Sequence, residues 1–278
     1  MTLTGDADAL EERTIRDFGE QWTRYQRNEG YYASVELLRD IVEPLLPLDE
    51  IAGKRVAEIG SGSGRIVSML LDAGVDHVLA IEPSSAYAVL RANVGTSRRV
   101  TFLNIAGDEL PASADLDVVL SIGVIHHIPD PEPALRAAFE ALRPGGKILI
   151  WLYGREGNEL YLALAQPLRA VTRRLPHWAL AGLVRALDLP LAIMIRLARA
   201  HRVPLPDYLN NYLGKLGADQ RRLVIYDQLN PAYAHYYTRT EARAVLERAG
   251  FVNVQLHHRH GYSWTVRGEK PQASAGRE

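Results

Sequence analysis

The segment VAEIGSGSGRI carries three alternating glycines, Gly60, Gly62 and Gly64, after an apolar run with a single acid, Glu58. A glycine-rich turn between a strand and a helix lets a ligand approach the backbone closely, and the N–H groups at the start of the helix point at it. Dinucleotide-binding turns have the spacing G-x-G-x-x-G, but the third glycine position of that pattern is Arg65 here. The loop therefore indicates a bound ligand and disfavours a nicotinamide dinucleotide.

A second acid, Glu82, ends the apolar run HVLAI and is followed by Pro83 and Ser84. A carboxylate at the end of the second strand can accept hydrogen bonds from both hydroxyls of a ribose. A glycine loop on its own is often a purely structural turn. The spacing between the loop and Glu82 favours a nucleoside-binding site over such a turn.

Two adjacent histidines, His126 and His127, follow the apolar run LDVVLSI. In an open α/β sheet the ligand lies at the carboxyl ends of the strands, so both side chains are expected near it. An imidazole has a pKa close to neutral pH and can accept a proton from a reacting group. Either histidine is therefore a candidate base, and the alternative is that one of them packs inward or caps the loop.

Short apolar runs alternate with helical patterns over residues 55–152, and this alternation would bring those side chains together. Strands alternating with helices indicate a parallel sheet that is covered on both faces. A further helix and a strand pair follow near the end of the chain, which makes the fold class α/β with a doubly wound, seven-stranded, mostly parallel sheet. The predicted strands are RVAEI, HVLAIE, VTFLNI, LDVVLSI, GKILIWL, VNVQLHH and YSWTVRG.

The pattern divides the chain into four parts. Residues 1–50 are predicted to form an N-terminal helical arm or cap, and residues 51–153 with 234–270 form the sheet domain. Residues 154–233 form a helical insertion or lid before the last strand pair, because two apolar helical stretches and a polar, loop-rich piece interrupt the alternation. The tail, 271–278, is predicted to be disordered.

The insertion has an unusual charge balance, since residues 160–203 contain seven arginines and a single acid, Asp188. Arginines interleaved with leucine, valine and isoleucine suit an anionic lipid surface or a lipid-linked substrate. They suit equally a helical lid that packs an apolar stripe on the sheet and exposes its arginines, and this is the more common arrangement. Charged residues and Pro190 interrupt the longer stretch, so it is not expected to span a membrane.

Aromatic residues near the start of the chain, Phe18, Trp22 and Tyr25, lie at helical spacing in DFGEQWTRY. One interpretation is a helix docked by its aromatic side chains, and this is preferred for Phe18. The other is closure over the ligand, which is preferred for Tyr25 as a catalytic residue and assigned to Trp22 as a substrate contact.

Polar aromatic residues return towards the sheet after the insertion, in NPAYAHYY. They are candidates for lining the substrate site, and ordinary half-buried packing is the alternative. The residues are Tyr233, His235, Tyr236 and Tyr237.

A cluster of histidines in HHRHGY does not predict a metal site. Only His258 and His260 share a face of a strand, and two histidines without a third ligand bind metal poorly. No metal is therefore expected.

Composition restricts the function classes further. Lys+Arg 32 against Asp+Glu 33 leaves a formal charge of -1, which gives no indication of a nucleic-acid partner. The chain has no cysteine, which excludes a cysteine nucleophile and thiolate metal sites. The segment MTLTGDADALEER lacks the basic and apolar regions of a secretory signal, so a cytoplasmic location is expected.

Five segments, in order, resemble the motifs of the class I S-adenosylmethionine-dependent methyltransferases. VAEIGSGSG resembles their glycine motif, AIEPS the acid after the second strand, and IAGDELP the adenine-side loop. DVVLSIGVIHHIPDP resembles the fourth-strand segment, and LRPGGKILI the turn into the fifth strand. The resemblance covers residues 54–152 well and the terminal helix and strand pair loosely. It implies a Rossmann-like fold with S-adenosylmethionine as cofactor.

Carried over position by position, the resemblance implies that Glu58 and the glycine loop hold the methionine part of the cofactor. Glu82 would bind the ribose, and Asp108 the adenine amino group. Many relatives place the adenine-side acid where this chain has Ala106, which is a departure from their pattern. The implied cofactor-binding residues are Glu58, Gly60, Ser61, Gly62, Gly64, Glu82, Pro83, Ser84, Gly107, Asp108, Glu109, Ser121, Ile122 and Gly123.

The function implied is transfer of a methyl group to an O, N or C nucleophile of a small molecule, such as a lipophilic or carrier-linked biosynthetic intermediate. His126, His127 and Tyr25 are the candidate catalytic residues. The alternative is a catalytically silent cofactor-binding subunit that supports a partner enzyme. The expected partners are the small-molecule substrate, a membrane or lipid carrier that touches residues 160–203, and a second copy of the chain if it forms an oligomer.

Overall fold

The computed structural model describes residues 3–172, 175–198, 206–229 and 233–272. Most of the tail that is predicted to be disordered, residues 273–278, lies outside the described residues.

A single seven-stranded sheet forms the centre of the protein, with the strand order β3-β2-β1-β4-β5-β7-β6. Strands β1 to β5 pair in parallel, and β7 pairs antiparallel with both β5 and β6. This arrangement confirms the predicted α/β class and the mostly parallel sheet. The strands are β1 Arg55–Ile59, β2 His77–Ile81, β3 Val100–Leu103, β4 Leu116–Ile122, β5 Leu142–Tyr153, β6 Val252–Arg259 and β7 Ser263–Glu269.

Helices cover both faces of the sheet and build the N-terminal arm and the insertion. The arm and sheet-domain helices are α1 Leu3–Arg24, α2 Val35–Val42, α3 Leu48–Ile51, α4 Arg65–Asp72, α5 Tyr87–Val94, α6 Glu132–Ala141 and α10 Arg239–Arg248. The insertion contains α7 Glu159–Thr172, α8 His177–Ala198, a π-helical turn Tyr208–Tyr212 and α9 Ala218–Leu229.

Alternate residues of each strand point to opposite faces, and both faces are buried. Val56 and Val118 belong to one core cluster together with α2 and α4, whereas the next residues along the two strands, Ala57 and Val119, belong to a second cluster with α6 and α10. The continuous apolar runs of the sequence follow from this double burial.

The segment predicted to be polar and rich in loops contains a helix, α9, so that prediction is wrong. Its apolar residues, among them Leu223 and Tyr226, are buried, and two of its arginines pair with Asp188 of α8. The helix is thus stabilised by tertiary contacts that its own polar sequence does not reveal. Buried Leu209 and Leu213 of the insertion join the same core cluster as α2 and α4, so the insertion packs directly on the sheet domain.

Candidate functional site

A cavity of about 220 Å³ lies at the carboxyl ends of the central strands. Its lining begins at Gly60 and Glu82, passes His127 after β4, and continues to Tyr153 at the end of β5 and Asp227 of α9. The glycine loop and the insertion therefore contribute to one continuous site, at the edge of the sheet where open α/β folds bind ligands.

The glycine loop is held in a conformation that other residues rarely adopt. Gly60, Gly62 and Gly64 have φ angles of 79°, 51° and 83°, all in the left-handed region. A Cβ at Gly60 would overlap the side chain of Val124, and one at Gly62 would lie 3.0 Å from Nε1 of Trp22. The alternating glycines are thus explained by backbone geometry and by close packing at the cavity.

Glu82 connects the end of β2 to the glycine loop. Its Oε2 accepts a hydrogen bond from the Gly62 N–H at 2.7 Å, and its Oε1 accepts from the N–H of Ser84 at 3.0 Å and from the Ser84 hydroxyl. The carboxylate is buried and lines the cavity together with Pro83 and Ser84. Its position at the end of β2 suits acceptance of the ribose hydroxyls of a nucleoside.

Glu58 is a buried acid directly before the glycine loop, and it is 1% exposed. Burial raises the pKa of its carboxyl group to about 8. Its Oε2 has no hydrogen-bond partner among the described residues. A buried acceptor without a donor fits a cationic donor such as the ammonium group at the methionine end of S-adenosylmethionine.

The adenine-side loop differs from the expectation for Asp108. Ala106 and Gly107 line the cavity, whereas Asp108 and Glu109 are exposed and are not part of the described lining. Glu109 accepts a hydrogen bond from the Ala106 N–H at 2.8 Å and so closes the 3₁₀ turn. With Ala106 at the position of the expected acid, this loop contributes Ala106 and Gly107 to the described lining, and neither of its two acids.

Residues at the end of β4 and directly after it lie at the cavity. Ile122 and Gly123 line it, while Ser121 is fully buried behind them. Gly123 has a φ of 81°, which turns the chain towards the histidine pair.

The two histidines have different environments. His127 lines the cavity, and its Nδ1 lies 2.8 Å from the carbonyl oxygen of Tyr233. A carbonyl oxygen only accepts, so Nδ1 carries the proton and Nε2 carries the lone pair. Burial lowers the pKa of His127, and the nearby Asp227 carboxylate partly opposes this effect.

His126 lies behind this surface. It is fully buried, its ring is 3.9 Å from the ring of Tyr153, and it does not belong to the described cavity lining. Burial, reinforced by the neighbouring His127, lowers its pKa well below the usual value. Of the two predicted candidates, only His127 has the position of a base.

Two of the three aromatic residues of the N-terminal arm, Phe18 and Tyr25, lie in positions that differ from the expectation. Phe18 lines the cavity and its ring lies 4.6 Å from that of His127, although it was expected only to dock the helix. Tyr25 is outside the described lining and its ring packs on Tyr226 at 5.5 Å. Trp22 lines the cavity beside the glycine loop. The helix ends at Arg24, so Tyr25 no longer follows the helical stripe.

The four polar aromatic residues after the insertion support the site from outside the described lining of the cavity. Tyr233 binds His127 through its backbone, and Tyr236 stacks on Tyr153 at 5.2 Å. His235 packs against Tyr237, which is buried in the core. The alternative of half-buried packing fits these side chains better than substrate lining.

A polar network lies on the His127 side of the cavity, which we call the acceptor side. The sequence did not predict this network. Tyr153 donates its hydroxyl hydrogen to Oδ2 of Asp227 at 2.7 Å and accepts from Nε2 of Gln228 at 2.8 Å. Gln21 of the arm donates to Oδ1 of Asp227 at 2.9 Å. The one available signal was that Tyr153 directly follows the predicted strand GKILIWL, and nothing local distinguishes Asp227.

Two arginines also line the cavity, and within the described residues only one of them forms an ion pair with an acid. Arg259 is buried, forms an ion pair with Asp40 and donates to the Tyr262 hydroxyl at 2.7 Å. Arg65 lies over the ring of Tyr32, 4.3 Å from its centroid, and donates to its carbonyl oxygen. No ion pair of Arg65 occurs within the described ranges, so its charge is available to an anionic ligand group.

Comparison with known proteins agrees with this geometry. A family model described as a methyltransferase domain matches residues 25–256, which is most of the chain. The chain belongs to this family, and the predicted class, the class I S-adenosylmethionine-dependent methyltransferases, is confirmed.

Curated relatives match over a shorter region. The tRNA U34 carboxymethyltransferase of Idiomarina loihiensis is 29% identical over 118 residues, covering 40% of this chain and 36% of that protein. The protein of the same name from Klebsiella pneumoniae is 29% identical over 122 residues, covering 42% and 36%. The match thus spans about a third of the length of these relatives.

Among solved structures, a putative methyltransferase from Bacillus halodurans C-125 has a TM-score of 0.50 and 14% identity, covering 81% of this chain and 97% of that chain. At this identity the likeness concerns the fold alone, and the fold is the predicted one.

Proposed function

We propose that this methyltransferase transfers a methyl group from S-adenosylmethionine to an O, N or C nucleophile of a small molecule, with His127 as the base. The observation that carries the proposal is the hydrogen bond from His127 Nδ1 to the Tyr233 carbonyl in a cavity that also contains the glycine loop. That bond fixes the tautomer with a free lone pair on Nε2.

The cofactor supplies the activated methyl carbon when it is bound. The residues that would hold it are Glu58 at the ammonium group and Glu82 at the ribose, with backbone at Ala106 and Gly107 beside the adenine ring. Arg65 is a candidate for the carboxylate at the methionine end. This set fits S-adenosylmethionine because it provides buried acceptors for its donors and a cation for its anion.

The remaining residues of the cavity position the acceptor and manage its proton. Holding a nucleophile in line with the reacting carbon lowers the barrier through proximity and orientation. Phe18 and Tyr153 flank His127, and they limit access of water to the base. Asp227 stabilises the imidazolium that forms when His127 accepts a proton.

A small molecule is the preferred acceptor class because the lining is mostly aromatic and aliphatic, with a few polar groups near the base. The names of the curated relatives concern tRNA, but these relatives cover less than half of this chain. The near-zero formal charge gives no electrostatic reason to bind a polyanion. A lipophilic biosynthetic intermediate and a cytoplasmic location are parts of the same proposal.

The experiment is turnover with methyl-labelled cofactor on a library of small molecules, with bulk tRNA offered in parallel. We expect label in a small-molecule product for the wild type and strongly reduced label for His127→Asn, which keeps a donor for the Tyr233 carbonyl but cannot serve as the base. Label only in tRNA would overturn the acceptor class. Cofactor binding without turnover on any acceptor would favour the silent-subunit alternative.

A further inference from the structure

Helix α8 exposes an apolar stripe to solvent. Trp178, Leu189 and Ile193 are 77%, 68% and 51% exposed, and Met194 and Leu197 are also exposed. Trp178, Leu189, Ile193 and Leu197 are separated by one helical turn or by three, and so lie along one side of the helix. A surface helix of a soluble protein normally presents charged and polar residues on this side.

The opposite side of α8 packs on the protein. Leu180 and Val184 are buried with residues of α9, and Ile195 joins the large core cluster. The only acid of the helix, Asp188, is also on the inner side, where it is buried and paired with Arg221 and Arg222 of α9. The one acid of the helix thus points inward, and the outer side carries apolar residues and arginines.

Within the part of the chain that the structure describes, α8 is the one helix long and apolar enough to cross a membrane. Spanning would separate Asp188 from its two arginine partners and place Arg185 and Arg196 in hydrocarbon, and both changes are costly. A helix that keeps its inner contacts and lies at the membrane surface avoids the first cost. At this shallow depth the long side chains of Arg185 and Arg196 can reach the lipid headgroups, which lowers the second cost. The geometry therefore favours a helix that lies in the plane of a membrane surface.

The exposed charges on α8 have a single sign. Arg185 and Arg196 are exposed, and no exposed acid occurs anywhere in the helix. A helix face that combines exposed apolar residues with cations is complementary to a surface that combines hydrocarbon with negative charge. We propose that the outer stripe of α8, formed by Trp178, Arg185, Leu189, Ile193, Arg196 and Leu197, docks the protein on an anionic lipid membrane.

The stripe is connected to the cavity through the elements behind it. Helix α9 packs on the inner side of α8 and contributes Leu223 and Asp227 to the cavity lining. The π-helical turn adds Tyr208 and Tyr212 to the same wall. Docking through α8 therefore places the acceptor side of the cavity near the lipid, although membrane binding itself does not depend on the proposed methyl transfer.

The test is sedimentation of the full-length protein with vesicles, without any acceptor. We expect binding to vesicles of phosphatidylcholine mixed with phosphatidylglycerol and much weaker binding to phosphatidylcholine alone. Added salt should weaken binding because the arginine contribution is screened. Trp178 should shift its fluorescence to shorter wavelength on binding, and Trp178→Phe should remove that change.

Substitutions in the outer stripe of α8 test whether this stripe is the surface that binds the vesicles. Leu189→Glu should weaken vesicle binding at least about tenfold, since it removes a leucine that would insert into the lipid and adds a negative charge. Arg185→Gln and Arg196→Gln should each weaken it about fivefold. Val252→Glu is the matched control, because Val252 is an exposed valine at the start of β6, outside the stripe, and it should leave vesicle binding unchanged. Cofactor-dependent melting of every variant checks that it remains folded.

Three results would overturn the proposal. One is recovery of the wild type in the supernatant with both kinds of vesicle. Another is equal vesicle binding by Leu189→Glu and the wild type. The third is a dimer in light scattering that Leu189→Glu dissociates, together with no vesicle binding, which would assign the stripe to a second copy of the chain. None of these results depends on turnover, so the proposed methyl transfer is tested separately.

Discussion

The two sides of the cavity are built in different ways. On the cofactor side, the loop after β1 and the acid after β2 are 20 residues apart in sequence and are joined by the hydrogen bond from Gly62 to Glu82. On the acceptor side, Gln21 meets Asp227 across 206 residues, and His127 meets Tyr233 across 106. The cofactor side is built from the backbone turns that follow two consecutive strands. The acceptor side is built from side chains of the arm, the sheet and the insertion.

This difference separates binding from chemistry. Substitutions on the cofactor side should alter the affinity for S-adenosylmethionine, because the protein groups on this side would contact the cofactor directly. Changes on the acceptor side should alter turnover and its pH dependence while cofactor affinity stays nearly constant. A variant on one side of the cavity that produces the effect assigned to the other side would contradict this separation of binding from chemistry.

The largest effect is expected at His127. His127→Ala should lower kcat by about a hundredfold to ten-thousandfold, the usual contribution of a general base, while the affinity for the demethylated cofactor hardly changes. Steady-state kinetics and calorimetry measure the two quantities. His127→Asn, which retains the donor to Tyr233, should be similarly slow, and near-normal kcat in both variants would show that the enzyme works by proximity alone.

The wild-type pH profile follows from the same residue. Only the neutral imidazole accepts a proton, so kcat should rise with pH through the pKa of His127. Burial lowers this pKa from its usual 6.5, which places the rise below pH 6.5 and leaves kcat level above it. A rise centred above pH 7 would contradict the assignment.

Glu82→Ala should weaken cofactor binding by about 2–3 kcal/mol, because a buried carboxylate that accepts charge-assisted hydrogen bonds is lost. Calorimetry with the cofactor measures this change. Glu140→Ala is the control, since Glu140 is an exposed acid of α6 outside the described cavity lining and its loss should leave the affinity almost unaltered. Equal affinities for Glu82→Ala and the wild type would contradict the ribose contact.

Glu58 should make cofactor binding depend on pH. With a pKa of about 8 in the free protein, the carboxyl group is mostly protonated at pH 7. An ammonium group bound beside it favours the ionised form, so binding releases a proton and affinity rises about fivefold between pH 7 and pH 8. Calorimetry in buffers of different ionisation enthalpy counts the protons. Glu58→Gln should abolish the proton release. If this variant releases as many protons per bound cofactor as the wild type, another group is responsible.

The smallest effect is expected at Asp227, on the acceptor side. The carboxylate raises the pKa of His127, so Asp227→Asn should move the rise in kcat to lower pH. Cofactor affinity should not change. A pH profile that stays in place while kcat falls would mean that Asp227 acts only by positioning Tyr153.

The local sequence was sufficient to predict the strands of the sheet and the cofactor side of the cavity. The strands β1 and β4 have the predicted bounds, because a buried parallel strand is a short apolar run between turn residues. The alternating glycines and the acid after β2 are likewise close in sequence, and their geometry follows from the order of consecutive strands. The methyltransferase class was predicted from these segments alone.

Tertiary structure decided the acceptor side. Two adjacent histidines are equivalent in sequence, and only the packing of His126 against Tyr153 buries one and leaves the other on the cavity. The same holds for Phe18 and Tyr25, whose roles depend on where α1 ends and what it contacts. The polar sequence of α9 does not reveal a helix, because its stability comes from buried contacts with α8.

The sequence by itself thus determined the α/β sheet, the glycine loop and the cofactor class, because each depends on residues that lie within one strand–turn–helix unit or its neighbour. Which histidine faces the cavity, how Asp227 reaches Tyr153, and which side of α8 remains exposed were decided by the packing of distant segments. Such contacts involve side chains brought together only when the arm, the sheet and the insertion share one core, and no local pattern carries that information.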